Sequence, residues 1–165
     1  MKNQHIVYLH TGSNLGNQAE NLSKVNDLIT QFIGKIVAKS GLYETEAWGV
    51  TDQPNFYNQA LKVETTLTPQ TILEKILFIE TEHFNRIREK KWAARIIDVD
   101  ILLYDDVVIK TENLIIPHPY LHQRNFVLIP LMEIAGMLVH PILKETIEDL
   151  YWQSEDSLDV LMVEN

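Results

Sequence analysis

The sequence predicts an α+β fold of ferredoxin-like type. Its core is βαββαβ, with an antiparallel sheet, two helices on one face, and further C-terminal helices that complete an α/β/α sandwich. Three observations point there. Apolar residues recur at helical spacing in two separate stretches, 18–33 and after Thr68-Pro69. Strict alternation marks Ile97 to Tyr104 as a strand. The elements run strand, helix, strand, strand, helix, strand, an order that folds into two helices packed on one sheet.

Residues 5–11, HIVYLHT, read as the first strand, and TGSNLGNQ as a turn into a helix. Neither G-x-x-x-x-G-K-[ST] nor G-x-G-x-x-G occurs there, so Gly12 and Gly16 read as turn residues rather than a phosphate loop. Leu22, Val25, Leu28, Ile29 and Phe32 form the stripe of the first helix, and Gly34 is its stop. Residues 36–45 predict a second strand interrupted by a glycine, and EAWGVTDQPN a loop. FYNQALKVETT reads as the third strand, with Phe56 and Asn58 on one face and Tyr57, Leu61 and Val63 on the other. Thr68 is the expected N-cap and Pro69 the first position of a second helix reaching about Phe84. In the strand from Ile97, Asp98, Asp100, Leu102 and Tyr104 are expected on one face and Val99, Ile101 and Leu103 on the other. A turn at Asp105-Asp106, a short strand and a proline-framed loop follow. Residues 126–135 then read as a buried helix interrupted by Pro130, and the tail from Lys144 as a partly exposed helix.

The chain has 165 residues, a size that fits one domain spanning 1–165. There are no cysteines, which excludes disulfides and thiolate metal sites. The N-terminus lacks the apolar run of a signal peptide, and no stretch approaches a membrane span, so a cytoplasmic protein is expected, with no membrane partner. Net charge is −9, which argues against nucleic acid as a partner, since that needs a broad basic surface.

Against this acidic background the segment RIREKKWAAR, 86–95, is the densest basic cluster. It leads directly into Asp98 and Asp100. Two residues along a strand span roughly 6.6 Å, so both carboxylates project from one face and can share hard cations such as Mg2+. Anionic metal ligands beside an arginine-rich loop suggest a site for metal-bound polyphosphate, although an ordinary solvated loop accounts for the cations alone equally well. Phe56 and Asn58 could stack on and read the edge of a flat heterocycle, or be a core ring beside a capping amide; Trp48 could wall such a pocket or pack on the sheet. Glu80, near a helix C-terminus where an anion is disfavoured, is a candidate for holding a ligand hydroxyl. His118, between Pro117 and Pro119, could donate to a phosphate oxygen, with Arg124 and Phe126 just beyond.

GSNLG at 12–16, Tyr43-Glu44-Thr45, DQPNFYNQAL at 52–61, Ile79-Glu80, RIR at 86–88, W-x-x-R-x-x-D-x-D from Trp92 to Asp100, and PH…RNF from Pro117 to Phe126 occur in one order. That ordered set resembles the 6-hydroxymethyl-7,8-dihydropterin pyrophosphokinases, over residues 6 to about 141. The resemblance implies an ATP-dependent diphosphotransferase of folate biosynthesis that acts as a monomer with two Mg2+ ions. It implies Asp98 and Asp100 as metal ligands, with Arg86 and Arg95 acting beside them in catalysis. It implies Glu80, Arg88, Trp92, Arg95, His118 and Arg124 around ATP, and Thr45, Trp48, Phe56, Asn58 and Phe126 around the pterin.

The chain also departs from the family pattern. Asn85 stands where a glycine is common, Lys91 where an arginine is, and the spacing around Arg86 and Arg88 differs by one residue. Two other readings compete on the residues alone. A non-catalytic binding module would show no magnesium dependence. A sugar-nucleotide transferase using D-x-D would call for manganese and a larger chain.

Overall fold

The structure is a computed structural model that describes residues 3–46, 54–84 and 96–163. Strand β1 (His5–Ser13) is followed by helix α1 (Gln18–Phe32), β2 (Lys35–Lys39), β3 (Tyr43–Thr45) and β4 (Phe56–Thr65). Helix α2 (Pro69–Phe78) runs into a wide π-type turn, Ile79–His83, before β5 (Asp98–Tyr104). A small hairpin, β6 (Ile109–Lys110) and β7 (Ile115–Ile116), precedes α3 (Asn125–Ala135), α4 (Ile147–Gln153) and β8 (Leu161–Met162). Among the described residues, no helix is long and apolar enough to cross a membrane.

Six strands form an antiparallel sheet in the order β5-β1-β4-β3-β8, with β2 also paired to β4. The predicted second strand is therefore two, both laid along β4. Gly34 enables the first of these contacts: a Cβ there would collide with the Glu64 carbonyl oxygen. The helices begin as the sequence predicts. Asn17 Oδ1 accepts the Glu20 N–H at 3.1 Å, and Thr68 Oγ1 accepts the Thr71 N–H at 3.2 Å. Gly16, at φ +68, makes the turn between β1 and α1.

The two sheet faces are covered differently. Leu22, Val25 and Ile29 of α1 and Ile72 and Ile76 of α2 pack with Leu9, Leu61, Val63 and Val99. On the other face Val127, Leu128 and Leu131 of α3, with Ile147 and Leu150 of α4, cover Tyr8, Ala60, Leu102 and Leu103. The result is a mixed α/β sandwich.

Two sequence expectations are corrected by this packing. Alternation along β5 breaks, because the register with β1 slips between Tyr8 and Leu9, pairing them with Leu103 and Ile101. Leu102 is the extra residue of a bulge. Leu102 and Leu103 therefore both meet α3 and α4, while Tyr104 joins the α1–α2 core and donates its hydroxyl to the Leu67 carbonyl at 2.8 Å. Asp98 and Asp100 precede the bulge and keep their common face. Pro130 does not interrupt its helix either: α3 is continuous through it.

Candidate functional site

The register of three neighbouring strands builds the site. Gly12 pairs with Asn58 on one side and with Asp98 on the other; His10 pairs with Ala60 and with Asp100. Asn58, Gly12 and Asp98 thus form one row across the sheet, and Ala60, His10 and Asp100 the next, all on the side that α3 covers. Both aspartates are half-buried. Among the described residues no cluster of three or more His, Asp or Glu side chains forms a closed metal cage. Two carboxylates on an open face fit a hard cation whose other ligands are water and phosphate oxygens.

Asn58 is buried, and its amide is fixed. Nδ2 donates to Thr45 Oγ1 at 3.0 Å and to the Tyr43 carbonyl at 3.3 Å, which turns Oδ1 toward the hollow above Gly12. A Cβ built on Gly12 would lie 3.5 Å from that oxygen and 3.8 Å from His10 Cε1. Thr45 and Phe56 are paired across β3 and β4, so the polar reader and the ring sit at one end of the row. Phe56 and Phe126 are both half-buried.

His118 follows the hairpin, and its N–H donates to the Leu102 carbonyl at 2.9 Å. Its Nδ1 accepts the Tyr120 N–H at 3.2 Å, so in the neutral ring the proton sits on Nε2, available as a donor. Burial, then the Arg124 charge, hold His118 down at about 4 against the pull of Asp98. Arg124 lies over the Tyr120 ring at 4.8 Å and over Phe126 at 5.7 Å. Asp98, His118, Arg124 and Phe126 are thereby brought to one place.

Glu80 is fully buried in the turn after α2, and its Oε2 accepts the Val99 N–H at 2.9 Å. Val99 lies between the two aspartates, so this carboxylate fixes the strand that presents them. Trp48, Arg86, Arg88, Trp92 and Arg95 lie outside the described residues.

His10 is a residue that sequence reading missed. It is 4% exposed, and its ring meets Phe126 edge-on at 5.6 Å between centroids. The Phe126 backbone lies near enough to the ring to favour its protonated form. Nε2 is buried with no hydrogen-bond partner among the described residues. Burial dominates and lowers the ring to about 4, despite Asp98 and the Phe126 backbone. The only sequence signal was a histidine directly after the apolar run Ile6–Leu9 of the strand.

A mixed α/β sandwich with this face has the chemistry to take a flat ring at one end and a metal-borne anion at the other. The family model for 7,8-dihydro-6-hydroxymethylpterin-pyrophosphokinase matches residues 8–136. The chain is 42% identical over 143 residues to the 2-amino-4-hydroxy-6-hydroxymethyldihydropteridine pyrophosphokinase of Aquifex aeolicus, covering 87% of this chain and 88% of that one. It is 40% identical over 136 residues to the enzyme of the same name from Haemophilus influenzae, covering 82% and 84%. In fold it resembles the HPPK-DHPS of Plasmodium falciparum solved with pterin and p-hydroxybenzoate, with a TM-score of 0.74 at 22% identity; the match covers 91% of this chain and 43% of that longer one. The chain belongs to the 7,8-dihydro-6-hydroxymethylpterin-pyrophosphokinase family.

Proposed function

We infer that the chain transfers pyrophosphate from ATP to the hydroxymethyl group of 6-hydroxymethyl-7,8-dihydropterin, releasing AMP, in folate biosynthesis. The observation that carries the site assignment is the row Asn58–Gly12–Asp98. Two strand spacings separate its ends by about 10 Å. A pterin read by Asn58 at one end therefore extends its hydroxymethyl arm toward the carboxylates at the other.

Asn58 Oδ1 accepts from the pterin edge, Thr45 and Trp48 complete that edge, and Phe56 and Phe126 sandwich the ring. Asp98 and Asp100 would hold Mg2+, two ions as in the family reading, which would supply neutralisation of polyphosphate charge. His118 donates Nε2–H to a phosphate oxygen, and Arg124, Arg86, Arg88 and Arg95 supply the cations that stabilise charge developing on the leaving AMP. Trp92 is assigned with them to ATP, as the resemblance implies. Glu80 supports ATP and metal binding by fixing the strand between the aspartates. The protein's task is positioning and charge neutralisation, and no side chain needs to form a covalent intermediate.

The strand order supports a ferredoxin-like βαββαβ core, with β2 and β3 together filling its second strand position. The charge of −9 supports a protein with no nucleic-acid partner. We take residues 1–165 as one domain working as a cytoplasmic monomer.

The test is product identification with ATP, Mg2+ and 6-hydroxymethyl-7,8-dihydropterin. AMP formed only when pterin and metal are both present is expected; ADP would mean a different bond is cleaved. Asp98→Ala and Asp100→Ala should each lower turnover by at least about 10³-fold while circular dichroism stays native. Unchanged turnover in either would overturn the metal assignment.

A further inference from the structure

The family model ends at residue 136, yet the segment after α4 touches both elements that carry the ring-binding residues. From Ser154 to Val160 the chain alternates half-buried and exposed residues, as an extended segment lying on a surface does. Asp156 is one of the inward ones. Its Oδ2 accepts the N–H of Asn125, the first residue of α3, at 2.8 Å, and its carbonyl accepts Asn125 Nδ2 at 3.1 Å. Its Oδ1 accepts the Leu158 N–H at 3.0 Å, and its own N–H donates to Ser154 Oγ at 3.2 Å, so the carboxylate is held from both sides.

The N-cap residue of α3 is Arg124, whose side chain makes no capping bond. Asp156 supplies the missing acceptor from about thirty residues further along the chain, and places a negative charge at the positive end of the helix. The same segment then reaches the far side of the site. Leu161 and Met162 pair with Glu44 and Tyr43, and the Val163 N–H donates to the Leu42 carbonyl at 2.8 Å. One strand of chain therefore fastens the start of α3, with Arg124 and Phe126, and the outer edge of β3, with Thr45.

We propose that the segment 154–163 is a positioning strap for the pterin site, and that Asp156 is its positioning residue, setting Phe126 through the first turn of α3. A third contact braces the same span: Tyr43 donates to Glu133 of α3 at 2.6 Å, and the Gly41 N–H meets both oxygens of that carboxylate. The strap fixes the start of α3, and Glu133 fixes its last turns. The inference rests on the reading of Phe126 as a wall of the pterin pocket.

The test compares Asp156→Ala, Val163→Pro and Phe126→Ala in the full chain, well below each melting temperature. Asp156→Ala should raise the pterin KM about fivefold or more, with kcat changed less than twofold, and should speed amide exchange at residues 125–128. Val163→Pro removes the donor to Leu42 and should raise the pterin KM in the same direction, by less. A loss of thermal stability alone, with the pterin KM unmoved, is what a purely structural tail gives and overturns the proposal. If Phe126→Ala raises the KM more than tenfold while Asp156→Ala leaves it within twofold, the strap falls and the pocket stands. If Phe126→Ala leaves it unchanged, the pocket reading itself fails and takes the strap with it. Should Asp156→Ala not fold, Val163→Pro decides: an unchanged pterin KM overturns the strap.

Discussion

Pro130 has no N–H to give the Phe126 carbonyl four residues earlier, and inside a helix that usually weakens or kinks the turn. Here the His10 ring of β1 packs against that first turn, edge-on to Phe126 at 5.6 Å between centroids. The helix runs through the proline with a buried ring of another element beside it, which no reading of the helix sequence alone could show. The same ring braces the edge of Phe126. His10→Ala should therefore cost about 1–3 kcal/mol of stability, as removing a buried side chain does, and should weaken pterin binding more than ATP binding. His10→Phe keeps an aromatic edge, so it should recover pterin affinity. Calorimetric melts together with pterin and ATP titrations measure both. An unchanged melt in His10→Ala would mean that the first turn of α3 closes around the missing ring. At this scale the sequence is legible where the expected role is a residue's own chemistry, as for the pair Asp98 and Asp100, which the register places on one face. It was opaque where a residue works through a distant backbone atom, as Glu80 and Asp156 do, or a distant ring, as His10 does.

At the scale of elements, period and capping signals located α1, α2, β4 and β5 because each has one buried face and one exposed or functional one. They failed where two elements share a problem. The bulge in β5 is a property of its pairing with β1, and the split of the second strand is a property of how Lys35–Thr45 lies along β4. Gly34 was legible as a helix stop, but its stronger constraint is the approach to Glu64. Gly34→Ala must push β2 off β4 or bend α1, and should lower stability by about 2–3 kcal/mol as an overpacked contact does. Gly41 offers the control, since a Cβ there would meet only Glu133 Oε1, at 3.7 Å. Gly41→Ala should stay within about 0.5 kcal/mol of the parent. Urea denaturation of the pair checks the contrast, and equal losses would mean that the β2–β4 crossing relaxes freely.

For the whole molecule, the buried His10 and His140 and the half-buried His118 make acid stability a joint property of the site and the scaffold. His10 and His118 sit beside the carboxylates; His140 lies after α3, where its Nδ1 accepts the Ile142 and Leu143 N–H groups at 3.2 and 3.0 Å. Burial is the first cause of a lowered pKa in all three, reaching about 4 in His10 and His118. For His140 the His122 charge adds to it, and a proton on Nδ1 would also remove the acceptor of both amide bonds. The unfolded chain protonates these rings near about 6.5, whereas the folded protein keeps them neutral to lower pH. Their neutral-state stability is therefore intact above about pH 6.5 and is lost as pH falls toward about 4. His10 and His118 each contribute on the order of 3 kcal/mol over that window, a large share of what a domain of this size has in reserve. Metal-free protein should show its urea midpoint falling steeply between about pH 6.5 and about pH 4.5, and His10→Phe, with one titrating ring fewer, should flatten that slope. A midpoint that holds constant across the window would mean that the rings take up protons in the folded state as readily as in the unfolded one, and that burial does not hold them neutral.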